Sequence, residues 1–203
     1  EAGKHILTEK PMAATPKEAQ NMIDVAKISN VKLGVLFMMR FQNVYRQAKE
    51  ILDSGIIGDL YQVQLNWTCL RTQDYFDRTE WRGKWDHEGG AVLLNQAIHG
   101  LDLLHWFIGL PNSILARALT RMHEIEAEDY VSGLLDYDFG HAIVHVSTVQ
   151  APPQSRIELW GDKGGIVINN GELSLYQLKK SINEFIFEDS RNFGGRDFPS
   201  IDY

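Results

Sequence analysis

The amino-acid sequence predicts an α/β (α+β) chain in two unequal parts. Residues 1–40 form a βαβ piece, and residues 41–203 form a large, mainly antiparallel, open-faced sheet covered by helices on one face. Three observations predict this. Two strand-like apolar runs flank one amphipathic helix within the first forty residues, the spacing of a right-handed parallel crossover. A helical apolar period then dominates the segment around Leu94 to Ile108. From Ser113 onward, short alternating segments are separated by turns such as Asp138-Phe139-Gly140 and Asn169-Asn170-Gly171. Consecutive strands joined by short turns are antiparallel, and helices placed earlier in the chain then cover one face.

Each element has its own signal. His5 to Thr8 is a short apolar strand running into the charged Glu9-Lys10-Pro11. The helix that follows starts with Thr15 as N-cap, Pro16 in the first turn and Glu18 completing a capping box. Ala19, Met22, Ile23 and Ala26 form its predicted buried face. Lys32 to Met39 is nearly continuous apolar sequence, as expected of a parallel strand covered on both sides. From Arg40 a second helix turns Val44, Ala48, Ile51 and Leu52 inward and ends at Gly55. Gly58-Asp59 leads into a strand over Leu60 to Leu70. Arg71 to Glu88 reads as a long loop, rich in charge and aromatics, of a length that usually carries function. The central helix runs through Leu94, Ile98, Leu101 and Ile108 to a stop at Gly109, with Pro111 beyond. Strands are then predicted over Ser113 to His123, Asp129 to Tyr137, Ala142 to Val149, Arg156 to Trp160, Gly165 to Asn169, Leu173 to Leu178 and Glu184 to Glu188. The glycine-rich Gly161 to Gly165 lies between two strands, so it is a turn and not a phosphate loop. The tail from Asp189 to Tyr203 shows no periodicity.

Composition narrows the function classes. With 44% hydrophobic and 23% charged residues, the 203-residue chain has the apolar content of a folded core rather than of a disordered segment. A net charge of −7 argues against a nucleic-acid partner, because phosphate binding needs a basic face. The lone Cys69 excludes an internal disulfide and fits a reducing compartment, so a cytoplasmic location is expected. No apolar run approaches the roughly 20 residues of a membrane span, and no membrane partner is expected. The chain opens on Glu1 without a signal-peptide pattern, and is expected to be a piece of a longer protein.

Asn95, His99, Asp102 and Trp106 fall at i, i+4, i+7 and i+11, one polar stripe on an otherwise apolar helix. Polar groups so placed are costly unless they pair or work. The loop ahead of them carries Trp81-Arg82 and ends in Gly89-Gly90. Gly-Gly-x-x-Leu-x-Asn-Gln-x-Ile-His-x-x-Asp-Leu-Leu resembles the central motif of the glucose-fructose oxidoreductase / inositol dehydrogenase / rhizopine-catabolism (Gfo/Idh/MocA) family. Ala2 to Pro11 resembles the family's Ala-Gly-Lys-His-Val-x-x-Glu-Lys-Pro signature. The two motifs stand in the family's order, and the resemblance reaches about Leu178. Many members carry Asp where this chain has Asn95.

The resemblance implies that residues 1–40 are the C-terminal remnant of a Rossmann domain and 41–203 a catalytic and oligomerisation domain incomplete at its C-terminus. It implies an oxidoreductase that uses NAD or NADP on a sugar, cyclitol or related polyol. Lys10 then hydrogen-bonds the substrate oxygen, from a Lys-Pro bond that is often cis in the family. His99 carries the proton. Asn95 holds substrate but, as an amide, cannot act as a base. Glu9, Lys10, Pro11 and Arg40 take cofactor positions, and Trp81, Arg82, Asn95 and Asp102 substrate positions. Alternatives stay open for Arg82 as a loop anchor and Asp102 as a support for His99. No metal is expected, because His99, Asp102 and His105 lack matched partners. Assembly as a homodimer or homotetramer through the sheet is also implied. A second reading is a non-catalytic piece acting only as a sheet-mediated oligomerisation domain. It is favoured by the absence of a Gly-x-Gly-x-x-Gly turn, without which the chain alone should hold the cofactor poorly.

Overall fold

The computed structural model describes residues 3–188 and 201–202. Strand β1 (Ile6–Glu9) and strand β2 (Leu33–Leu36) pair in parallel and are linked by helix α1 (Pro16–Ile28). Thr15 Oγ1 accepts from the Glu18 backbone N–H and the Glu18 carboxylate accepts from the Thr15 N–H, which closes the expected capping box. The predicted face of α1 is only half covered: Ala26 is buried, whereas Ala19, Met22 and Ile23 are partly exposed. A two-stranded sheet is too narrow to cover a helix. The second strand stops at Leu36, where its pairing with β1 ends, and Met38–Phe41 coils into a 3-10 turn instead of reaching Met39 as strand.

Helix α2 (Asn43–Asp53) starts later than the expected Arg40, which lies in the 3-10 turn, and leads to strand β3 (Leu60–Leu70) with the boundaries expected from the sequence. The predicted loop of residues 71–88 contains two short helices, α3 (Gln73–Asp77) and α4 (Trp85–Glu88). The central helix is not continuous. Val92–Gln96 forms a π-type turn, marked by Ala97 N–H donating to the Val92 carbonyl at 2.7 Å, before helix α5 (Ile98–Ile108). A wider turn breaks the 3.6-residue register, so Asn95 is rotated away from the stripe that the sequence spacing assigns it to.

The rest is sheet: β4 (Ser113–Leu119), β5 (Tyr130–Tyr137), β6 (Gly140–Ser147), β7 (Val149–Gly161), β8 (Gly164–Asn169), β9 (Glu172–Leu178) and β10 (Ile201–Asp202). They join β3 in the order β10-β9-β8-β7-β3-β6-β5-β4, antiparallel throughout except for β3 with β6. Asn170 and Gly171, both at positive φ, form the two-residue β8–β9 turn. Asp162-Lys163 closes β7–β8, so the glycine-rich stretch is a hairpin turn. β7 is longer than predicted and tolerates Pro152-Pro153 because its register with β3 shifts there.

The last predicted strand is also overturned. Glu184 to Glu188 is not a strand but part of helix α6 (Ile182–Glu188). Ser181 Oγ accepts from the Glu184 N–H at 3.1 Å and the Glu184 carboxylate accepts from the Ser181 N–H at 2.9 Å, a capping box that outweighs the alternating Phe185 and Phe187. Apart from Ile201–Asp202, the tail from Asp189 lies outside the described residues.

Helices α2 and α5 cover one face of the sheet. Tyr45, Ala48, Leu103, Leu104 and Phe107 meet Val63, Leu65, Val144, Ile157 and Ile166 there. Among the described residues, no helix is long and apolar enough to cross a membrane.

Candidate active site

The site forms where the carboxyl end of β1 meets the start of the central helix. Parallel α/β units bind ligands at the carboxyl ends of their strands. Here those ends carry Glu9-Lys10-Pro11 after β1, and Phe37 to Arg40 after β2. The Lys10–Pro11 bond is cis. Gly89 adopts a left-handed conformation, and a Cβ there would lie 2.0 Å from the Ala14 carbonyl oxygen. Only glycine lets the Pro11–Ala14 strap rest on the start of the second part.

Lys10, Pro11, Ala14, Trp81, Glu88 and Asn95 line a cavity of about 220 Å³. Lys10 Nζ donates to the Asn95 main-chain carbonyl at 2.6 Å, so the structure brings Lys10 and Asn95 together. An ammonium has three N–H groups, and the others remain for a bound molecule. Burial lowers the Lys10 pKa, opposed by the charges of Glu9 and Glu88.

His99 lies in the first turn of α5, and its ring Nδ1 is buried without a hydrogen-bond partner among the described residues. Burial lowers its pKa, and the Lys10 charge lowers it further, against the opposing carboxylates of Asp102 and Glu9. A neutral imidazole at pH 7 can accept a proton.

Two residues missed in the sequence complete the site. Glu88 is 6% exposed, accepts from the Asn95 side-chain amide through one oxygen, and from the Gly83 N–H at 2.6 Å through the other. Burial raises its pKa. Glu128, 2% exposed, accepts from the Ala91 and Leu93 N–H groups at 3.1 and 3.0 Å and so caps the π-type turn from across the fold. Glu88 sits in a strongly charged loop, where no local pattern separates a buried acid from a solvated one. Glu128 adjoins the equally buried Asp129, and two adjacent acids opening a strand were the available signal.

Two expected substrate contacts are already engaged within the protein. Asp102 does not offer a free carboxylate to substrate. Arg40 Nε donates to Oδ2 at 2.7 Å and Arg40 Nη2 to Oδ1 at 2.6 Å, and the guanidinium lies between the Phe37 and Trp106 rings. Arg40 and Asp102 are therefore engaged with each other, joining the end of β2 to α5. Arg82 donates to the Tyr75 carbonyl at 3.0 Å, with its guanidinium over the rings of Tyr75 and Trp81. It anchors the loop, and of the Trp81-Arg82 pair only Trp81 reaches the Lys10 cavity. No cluster of three metal-ligating side chains occurs among the described residues.

A βαβ unit seated on an open-faced sheet, with a lysine and an imidazole at the seam, has the build of the oxidoreductase class of α/β proteins. The family models agree: residues 1–37 match the NAD-binding Rossmann-fold oxidoreductase family and residues 45–167 the Gfo/Idh/MocA C-terminal domain. The chain belongs to the Gfo/Idh/MocA family. It is similar to an oxidoreductase of Synechocystis sp., with 28% identity over 86% of this chain and 51% of that protein. It is also similar to IolW of Bacillus subtilis, a scyllo-inositol 2-dehydrogenase (NADP(+)), with 26% identity over 82% of this chain and 46% of IolW. The WlbA dehydrogenase of Bordetella pertussis, solved with NADH and UDP-GlcNAcA, superposes with a TM-score of 0.82 at 30% identity, covering 88% of this chain and 57% of WlbA. The chain spans about half the length of these relatives.

Proposed function

We propose that this chain forms the catalytic part of an NAD(P)-dependent dehydrogenase acting on a hydroxyl-bearing carbon of a sugar, cyclitol or related polyol. The observation that carries this reading is a half-buried Lys10 ammonium held by the Asn95 carbonyl at 2.6 Å, near enough for its charge to act on His99, whose Nδ1 has no partner among the described residues. Residues 1–40 are read as the last βαβ unit of the nucleotide-binding domain, and the remainder as the catalytic domain. Dehydrogenases of named substrates among the relatives support the substrate class.

The residues present fit one end of the cofactor. Glu9, Lys10 and Pro11, at the carboxyl end of a parallel strand beside a cavity, suit its reacting end. The pyrophosphate would need a Gly-x-Gly-x-x-Gly turn, which this sequence lacks. When bound, the nicotinamide ring supplies the hydride donor or acceptor. Lys10 Nζ holds the substrate oxygen by an N–H that strengthens as negative charge develops on it. The His99 imidazole takes the hydroxyl proton in the oxidation direction and returns it in reduction. Trp81 forms the cavity wall, and Asn95 presents its carbonyl to Lys10.

The test uses the full-length enzyme. Lys10→Met should lower kcat by roughly a hundred- to a thousandfold with little change in KM, because the lost donor acts mainly in the transition state. In the parent, oxidation should rise with pH through a midpoint below the ordinary 6.5 of histidine, since burial and Lys10 both disfavour the imidazolium. His99→Asn should flatten that rise. Full turnover in Lys10→Met, or an unchanged pH profile in His99→Asn, refutes the assigned roles.

A further inference from the structure

We propose that Glu88 is the positioning residue of the Lys10 centre, acting through Asn95; this rests on reading Lys10 as a catalytic group. The contacts form one line. The Gly83 N–H donates to Glu88, the Asn95 amide donates to the other Glu88 oxygen, and the Asn95 carbonyl accepts from Lys10 Nζ at 2.6 Å. Asn95 is gripped from its other side as well. Its Oδ1 accepts from Gln96 Nε2 at 3.2 Å, and Gln96 Oε1 accepts from Arg71 at 2.8 Å. The carbonyl that receives Lys10 therefore belongs to a residue whose side chain Glu88 holds in place.

Position alone does not account for an acid there. A carboxylate only 6% exposed is costly, and a neutral residue could accept the Gly83 N–H. The charge has a use, because Glu88, Lys10 and Asn95 line the same cavity. Lys10 faces Glu9, Glu88 and His99, whereas Glu88 faces Lys10, Arg82 and Glu128. Burial pulls Lys10 towards its neutral form, and Glu9 is exposed and well solvated. Glu9 supplies the larger opposing charge and Glu88 a second one, and Glu88 is the one buried at the cavity wall, where solvent screens it less. An amide at position 95 suits this arrangement, since its N–H₂ meets a carboxylate that a second acid would repel.

The coupling is measured in substrate-free full-length protein, by NMR titration of ¹³C-dimethylated lysines with Lys10 assigned from its loss in Lys10→Met. Glu88→Gln should lower the Lys10 midpoint by about one unit or more, the usual effect of losing a nearby opposite charge. Combining Asn95→Asp with Glu88→Gln moves the carboxylate one hydrogen bond along the same line, with the introduced amide at position 88 donating to the new acid. That double change should restore most of the shift. A merely structural Glu88 would lower the melting temperature and leave the Lys10 midpoint in place, which overturns the proposal. Lys10→Met reads the same coupling from the other side. The Glu88 carboxyl midpoint should rise by an equal amount, so the test survives if Glu88→Gln does not fold. No shift in that variant also overturns the proposal. Absence of nicotinamide-linked turnover in the parent, with the coupling present, would instead overturn the proposed function and leave the Glu88–Lys10 pair standing.

Discussion

At the scale of residues, the Arg40–Asp102 pair ties the end of β2 to α5 beside the site. Both Asp102 oxygens are engaged, and its side chain is 6% exposed against 33% for Arg40. Asp102→Ala leaves a partly buried guanidinium without its acceptor, which should cost roughly 3 kcal/mol, the low end for a broken buried pair. Arg40→Met should cost a similar amount, because it strands the more buried partner. Replacing both with apolar residues should recover much of the loss. Urea unfolding of the four proteins measures the coupling, and simple additivity of the single changes would show that the pair is not a unit. From sequence, Asp102 was legible as a polar residue needing a partner on an apolar helix. The partner was not, because Arg40 lies 62 residues away and only the packing of α5 against the end of β2 brings it near.

At the scale of elements, Gly100 decides how closely α5 lies on the sheet. A Cβ at Gly100 would sit 2.8 Å from the Trp67 ring and 3.0 Å from a Leu65 methyl. In an exposed helix, Gly→Ala gains up to about 1 kcal/mol of helix propensity. Here overpacking should win, with a net loss of about 1–2 kcal/mol. A thermal melt reads the sign directly, and a rise in Tm would show that α5 has room to move. Legibility follows the same division between local and distant causes. Thr15 to Glu18 is a four-residue signal, and the structure closes it as read. Ser181 to Glu184 is the same signal, but the alternation of Phe185 and Phe187 hid it. The π-type turn was beyond local reading, since its N–H groups are capped by Glu128 from more than thirty residues away. The parallel pairing of β3 with β6 was equally hidden, because turn chemistry fixes only the strands adjacent in sequence.

At the scale of the whole molecule, the sheet has two unlike faces. Ala142, Val144 and Val146 face the helices, whereas Ile143 and His145 face away from them. One row across the open face runs Leu134, Ile143, Gln64, Glu158 and Val167 through successive registers. Its acid is neutralised within the face, as Glu158 accepts from Arg156 Nε at 2.6 Å and from Trp160 Nε1 at 2.8 Å. A sheet side left in water normally alternates to charged residues, and this row presents amide and apolar side chains and one closed ion pair, while Arg117 and Asp136 lie towards the β4 edge of the same face. We expect a second copy of the chain to cover it. Leaving out the two-residue β10, seven strands about 4.8 Å apart, each contributing roughly 20 Å of length, give a face of roughly 700 Å². That approaches the ~800 Å² per partner of a standard interface. Sedimentation at micromolar protein should therefore show a dimer or tetramer. Ile143→Glu, at a position 42% exposed in the single chain, should shift it to monomer while leaving the melting of that monomer nearly unchanged, because the helix-covered core is untouched. A parent that sediments as a monomer refutes the assembly. An oligomer that survives Ile143→Glu places the contact on another surface, such as the exposed edge of β4 with Ile114.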